Sequence, residues 1–187
     1  MKIRICILTA SLVSLVVRTP AQVPISAGTY HQNFDALATS GVANAWTDNV
    51  TLPGWYASKT LGGNTVTTYR GDTGANNAGA LYSFGVAGVS SLTDRALGSI
   101  ASGTPGNFAY GVRFINDTAV VQTNIAVSYT GEQWRNGGNT AGHSLTFSYR
   151  VSSVPIINSD AAGAETWTTV AALGFSSPTT GTTSGPA

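Results

Sequence analysis

The chain has 187 residues, of which only 9% are charged, a single cysteine, and a formal net charge of +1. That length holds one domain with a real core and is too short for two comfortable ones. The charges form no basic patch or run, which speaks against nucleic-acid binding through this domain.

In chain order, Met1 to Arg4 is a short basic start, residues 5–17 are mostly apolar, and Thr19, Pro20 and Ala21 are residues that a signal peptidase reads. This order predicts a secretory signal peptide over residues 1–21, cut after Ala21, and hence a secreted or cell-surface protein. The apolar run falls short of the roughly 20 residues that a membrane span needs, so no transmembrane span is expected. Cleavage would remove Lys2, Arg4 and Arg18 and leave six basic residues against eight acidic ones, a formal charge of −2. It would also remove Cys6, which leaves the exported domain without disulfides and without thiolate zinc sites.

Residues 22–175 show period-two alternation and no convincing 3.6-residue apolar period. Strands are predicted over 28–34, 64–70, 79–86 and 94–100. Phe108, Tyr110, Val112 and Phe114 then share one face of a fifth strand. Ile125, Val127 and Tyr129 give a sixth, Leu145, Phe147, Tyr149 and Val151 a seventh, and residues 165–173 an eighth. Short strands between Gly- and Asn-rich turns predict an all-β fold, a two-sheet antiparallel β-sandwich of the jelly-roll kind. Residues 176–187, a stretch of Ser, Thr, Gly, Pro and Ala, show no closing strand. They read as a polar linker, or as the truncated end of a domain lacking its last one or two strands.

Several blocks in order, "YHQNFDALATSG", "LPGWYAS", "YRGDTGANNAGALYSFG", "DRALGSIASG", "VSYTGEQWRNGG" and "LTFSYRV", together resemble an uncharacterised bacterial module. That module is found on exported and cell-surface proteins. It often precedes a C-terminal sorting tag of the PEP-CTERM kind, or other secreted domains, nuclease-like ones among them. The resemblance runs from about Tyr30 to Ala187 and implies a secreted β-sandwich of unknown ligand. The family usually continues with another tryptophan-containing strand and an acidic closing segment, neither of which this sequence shows.

Glu132, Trp134 and Arg135 are the candidate binding residues. Alternation from Tyr129 points Trp134 outward, as a sugar-stacking platform flanked by Glu132 and Arg135. A bulge at Gly131 would instead turn Trp134 into the core and let Glu132 and Arg135 pair across a hairpin turn in "NGGNTAG". The bulge is the favoured register. Asp72, Asn76 and Asp117 offer oxygen ligands for a structural calcium, although no EF-hand spacing is present. No other cofactor is implied. Arg70, Gly71 and Asp72 form an RGD triplet, read as the start of a turn rather than an adhesion site. Asn49-Val50-Thr51 and Asn116-Asp117-Thr118 match the glycosylation pattern by chance.

Catalytic signals are missing. Glu132 and Glu165 are the only glutamates and no motif fixes either, His31 and His143 lie far apart, and no serine sits in a nucleophile elbow. The sequence therefore predicts a non-enzymatic structural or binding module, with polysaccharide or extracellular matrix as partner. The alternative is an N-terminal accessory domain of a secreted hydrolase, a nuclease or phosphoesterase, whose catalytic domain lies downstream.

Overall fold

A computed structural model describes residues 22–86 and 94–187, so the signal peptide expected at 1–21 lies outside the described residues. The described chain is all-β. Its strands are β1 (Val23–Pro24), β2 (Asn44–Ala45), β3 (Trp55–Lys59), β4 (Thr68–Asp72), β5 (Ala80–Gly85), β6 (Arg95–Ile100) and β7 (Phe108–Val112). The later ones are β8 (Phe114–Ile115), β9 (Arg135–Gly137), β10 (Ser144–Leu145), β11 (Ser148–Tyr149), β12 (Thr168–Thr169), β13 (Phe175–Ser176) and β14 (Ser184–Pro186). Two three-residue 3₁₀ turns, Ile25–Ala27 and Ala171–Leu173, are the helical content. Among the described residues no helix is long and apolar enough to cross a membrane.

One four-stranded sheet in the order β2-β4-β5-β6 forms the centre, accompanied by two-stranded pairs, of which β3 with β7 is the longest. The buried core joins these two. Leu37, Trp46, Leu52 and Val66 pack with Ala57 of β3, Tyr69 of β4, Leu81 of β5 and Leu97 of β6, and Phe108 and Tyr110 of β7 lie against them. Strand alternation explains the set: Leu81 and Ser83 face one side of β5, Tyr82 and Phe84 the other. Both sides of β5 are covered, so Leu81, Tyr82 and Ser83 have essentially no exposed surface. Trp46 enters the core with its indole N–H satisfied, donating to Asp48 Oδ1 at 2.7 Å, while the same oxygen accepts from Ala57 N at 2.9 Å.

Two pairings depart from the antiparallel expectation. β1 runs parallel to β8, and β4 runs parallel to β5 with Tyr69 opposite Leu81 and Asp72 opposite Phe84. Parallel neighbours ordinarily need a crossover of a dozen or more residues. Here the short loop over residues 73–79 is tied down by side chains instead. Asp72 Oδ1 accepts from Asn76 N at 3.1 Å, Asn76 Oδ1 accepts from Ala78 N at 2.8 Å, and the Tyr82 hydroxyl donates to Ala78 O at 2.6 Å. Arg70, Gly71 and Asp72 are therefore strand and not turn. A Cβ at Gly71 would come within 2.4 Å of Ser40 N, so the triplet is packed under residues 38–40.

The second half departs further. Residues 28–34 form no strand, because Gln32 Oε1 caps Phe34 N at 2.8 Å and Phe34 takes a left-handed φ of 61°. Residues 121–130 form no ladder and are all exposed, with Ile125 62% and Val127 43% accessible. The strand expected over 144–151 is cut into β10 and β11, and that over 165–173 shrinks to β12. The hairpin expected around residues 136–142 does not form: β9 pairs with β14 and β10 with β13, while β11 pairs with β12. The tail without a strand signal thus carries one, with Pro186 opposite Arg135 and Ser184 opposite Gly137.

Candidate functional site

A cleft of about 320 Å³ opens where three distant segments meet: residues 30–33, the start of β6 at 94–96, and residues 128–132. The volume sits at the small end of ligand pockets. Its lining is polar and aromatic, with Tyr30, His31, Asp94, Arg95, Tyr129 and Glu132 as its chemically distinctive members.

The first wall is anchored to the core. Trp55 Nε1 donates to the Tyr30 hydroxyl at 2.8 Å, Gln32 Nε2 reaches the same oxygen at 3.3 Å, and the Tyr30 ring meets Phe114 edge-on at 5.7 Å. Asn33 turns the chain by donating to Asp35 Oδ2 at 2.6 Å. His31 is exposed at the rim.

The second wall carries a buried charge. Arg95 shares the β6 face of Leu97 and is only 9% accessible, so its head must find partners inside the protein. Its Nε donates to Ser83 Oγ at 2.6 Å and Nη2 donates to Ser83 O. Burial lowers the guanidinium pKa from its ordinary value, and the fields of Tyr69 and Asp35 oppose that shift. The phenol of Tyr110, on β7, is pushed up to about 12, chiefly by burial, with Ser99 of β6 opposing the shift.

The third wall lies on the segment without a ladder. Tyr129 stacks on Phe147 with ring centroids 6.1 Å apart, and its hydroxyl donates to Leu173 O. Gly131 is fixed by contact, since a Cβ there would sit 2.2 Å from the Phe175 ring. With no ladder at this point there is no bulge to set the facing of the residues that follow.

Glu132 and Trp134 come together, and Arg135 turns away from them. Trp134 Nε1 donates to Glu132 Oε2 at 2.8 Å. The half-buried indole lies parallel to Phe84 at 6.2 Å, extending a stack in which Tyr82 and Phe84 are 4.7 Å apart. It is neither an inner core residue nor a free platform. Arg135 donates to Gly74 O and Ala75 O, both at 2.9 Å, and makes no pair with Glu132. Of the three, Glu132 alone lines the cleft.

The oxygen-bearing residues belong to two separate networks. Asp72 and Asn76 build the 73–79 loop, while Asp117 accepts from Ser26 N at 3.0 Å and from the Ser26 hydroxyl. Those bonds from Ser26 lower the Asp117 pKa. Among the described residues no group of three or more His, Cys, Asp or Glu stands together as a metal site. A second concavity of about 530 Å³, lined by Asn136, residues 179–183 and residues 185–187, offers neither charge nor aromatic surface.

Residues 30–33 and 94–96 were not legible as site residues. The one local signal is "YHQN", four consecutive hydrogen-bonding side chains in a chain poor in charge. Comparison of the chain with protein-family models, curated proteins and solved structures finds no match. Function is therefore inferred from the site's own chemistry.

Proposed function

We propose that this chain is an exported, non-catalytic binding module of a cell-surface or extracellular protein, and that it takes carbohydrate in the cleft between Tyr30 and Glu132. The observation that carries the reading is the lining itself: Tyr30 and Tyr129 with amide, hydroxyl and carboxylate groups around an open cleft. Sugars present apolar C–H faces and hydroxyl edges, which suit aromatic surface interspersed with such groups. Binding in this reading needs no metal and no covalent step.

The framework we propose is a two-sheet sandwich, with the β2-β4-β5-β6 sheet as one layer and the β3–β7 pair as the other. The shared core of Ala57, Tyr69, Leu81, Leu97, Phe108 and Tyr110 supports it. Export, and with it an extracellular or cell-surface place, is supported by the order of basic, apolar and small residues in 1–21.

Affinity electrophoresis through gels cast with single polysaccharides tests the binding reading. Retardation by at least one polymer is expected, relieved by free oligosaccharide and weakened in His31→Ala and Glu132→Gln. Unretarded migration through every neutral, amino and acidic polymer would refute carbohydrate binding.

A further inference from the structure

We infer that the cleft selects glycans bearing free amino groups over their N-acetylated or uronate counterparts. This deepens the carbohydrate reading and rests on it. Asp94 and Glu132 bring two carboxylates to the lining, from the second and third walls. The cation among them, Arg95, is largely committed elsewhere: its Nε and Nη2 serve Ser83 Oγ and Ser83 O, and the residue is only 9% accessible. A ligand thus meets two acceptor carboxylates beside a guanidinium whose Nε and Nη2 are already engaged by Ser83.

Chemistry then separates closely related polymers. A glucosamine unit carries an ammonium that donates charge-assisted hydrogen bonds to carboxylates. Its N-acetyl counterpart carries a neutral amide, and a uronate would place like charge against Asp94 and Glu132. Glu132 has capacity for such a bond, since Trp134 Nε1 occupies only its Oε2. One charge-assisted contact of this kind corresponds to roughly a tenfold difference in affinity.

The test is titration calorimetry of the full described chain at pH 7 with glucosamine, N-acetylglucosamine and galacturonate oligomers of equal length. The expected result is about tenfold tighter binding of the glucosamine oligomer, shrinking toward parity in an Asp94→Asn/Glu132→Gln double variant. Because the exported chain is net acidic, Glu165→Gln supplies a matched charge change away from the cleft, at an exposed carboxylate paired with half-buried Arg150. That variant should keep the full preference. If Glu165→Gln lowers the preference as much as Glu132→Gln does, net charge explains it and the inference is overturned. Equal affinity for the amino and acetylated oligomers overturns the selectivity but leaves carbohydrate binding standing. Binding to none of the three, together with unretarded migration in the polysaccharide gels, removes both.

Discussion

Replacing Trp134 by alanine asks how much of the fold depends on a residue that the sequence left open between core and surface. A fully buried aromatic truncated to alanine costs about 3–5 kcal/mol. Trp134 is half-buried, with one face on Phe84 and its N–H on Glu132 Oε2. Half of the transfer loss, part of an aromatic contact of about 0.5–1.5 kcal/mol and an exposed hydrogen bond of about 1 kcal/mol give roughly 3–4 kcal/mol. In a domain of this size that lowers the Tm by about 6–16 °C. Trp134→Phe keeps the stack and loses only the donor, so it should cost about 1 kcal/mol. Urea denaturation followed by circular dichroism reads both variants, with unchanged m-values as the check on two-state behaviour. An unmoved midpoint in Trp134→Ala would mean that the indole does not pack on the sheet. A loss near 5 kcal/mol would mean that it is core, and the cleft geometry built on its bond to Glu132 would then be wrong.

Three further perturbations bear on the fold. Gly71→Ala places a methyl within 2.7 Å of Ala38 O and closer to Ser40 N, so chemical denaturation should show a loss of about 2–3 kcal/mol; a neutral result would free the RGD triplet from its packed position. Tyr110 has its pKa raised from 10.0 to about 12, so its neutral form contributes stability that is fully present below pH 10 and is lost as pH rises from 10 through about 12. Stability measured over that range should fall less steeply in Tyr110→Phe than in the parent, and identical slopes would contradict the burial. Val127→Lys, on an exposed position 43% accessible, should leave the Tm unchanged while reducing concentration-dependent association in sedimentation runs; a lowered Tm would show that Val127 is packed.

The strands legible in the sequence are those whose apolar face meets the core. β4, β5, β6 and β7 fall within or close to the predicted spans, because Tyr69, Leu81, Leu97 and Tyr110 alternate with residues on the opposite face and are themselves packed. β3 escaped because "WYASK" has no alternation: Tyr56, Ala57 and Ser58 are all buried. A strand covered on both sides loses its period-two signature. The opposite error occurred over 121–130 and 144–151, where Ile125, Val127, Leu145 and Val151 alternate as a half-buried strand would and yet stay exposed. Alternation specifies a face for burial, and it does not specify the neighbour that buries it. The site shows the same division. Glu132 stood out as one of only two glutamates, whereas residues 30–33 and 94–96 join it through contacts that no local pattern encodes. Arg95 did leave a trace, being in phase with Leu97 on the buried face of a strand.

The cleft lies on the seam between these two kinds of structure, and that position constrains how it can bind. Tyr30 and Arg95 are held by the core through Trp55 and Ser83. Residues 128–132 hang from side-chain contacts alone, the Tyr129 hydroxyl on Leu173 O and the Tyr129 ring on Phe147. A wall without a backbone ladder has few interactions resisting local displacement. A ligand bridging the walls must order the third against the first two, and that entropy cost subtracts from the contact energy. Single-site affinity should therefore be modest, whatever the quality of the individual hydrogen bonds. Under the proposed carbohydrate reading, a polymer would compensate by presenting its repeat many times, since effective concentration multiplies weak sites. A pre-formed pocket suits a scarce small molecule. A seam with one loose wall suits a polysaccharide that is abundant, repetitive and immobile.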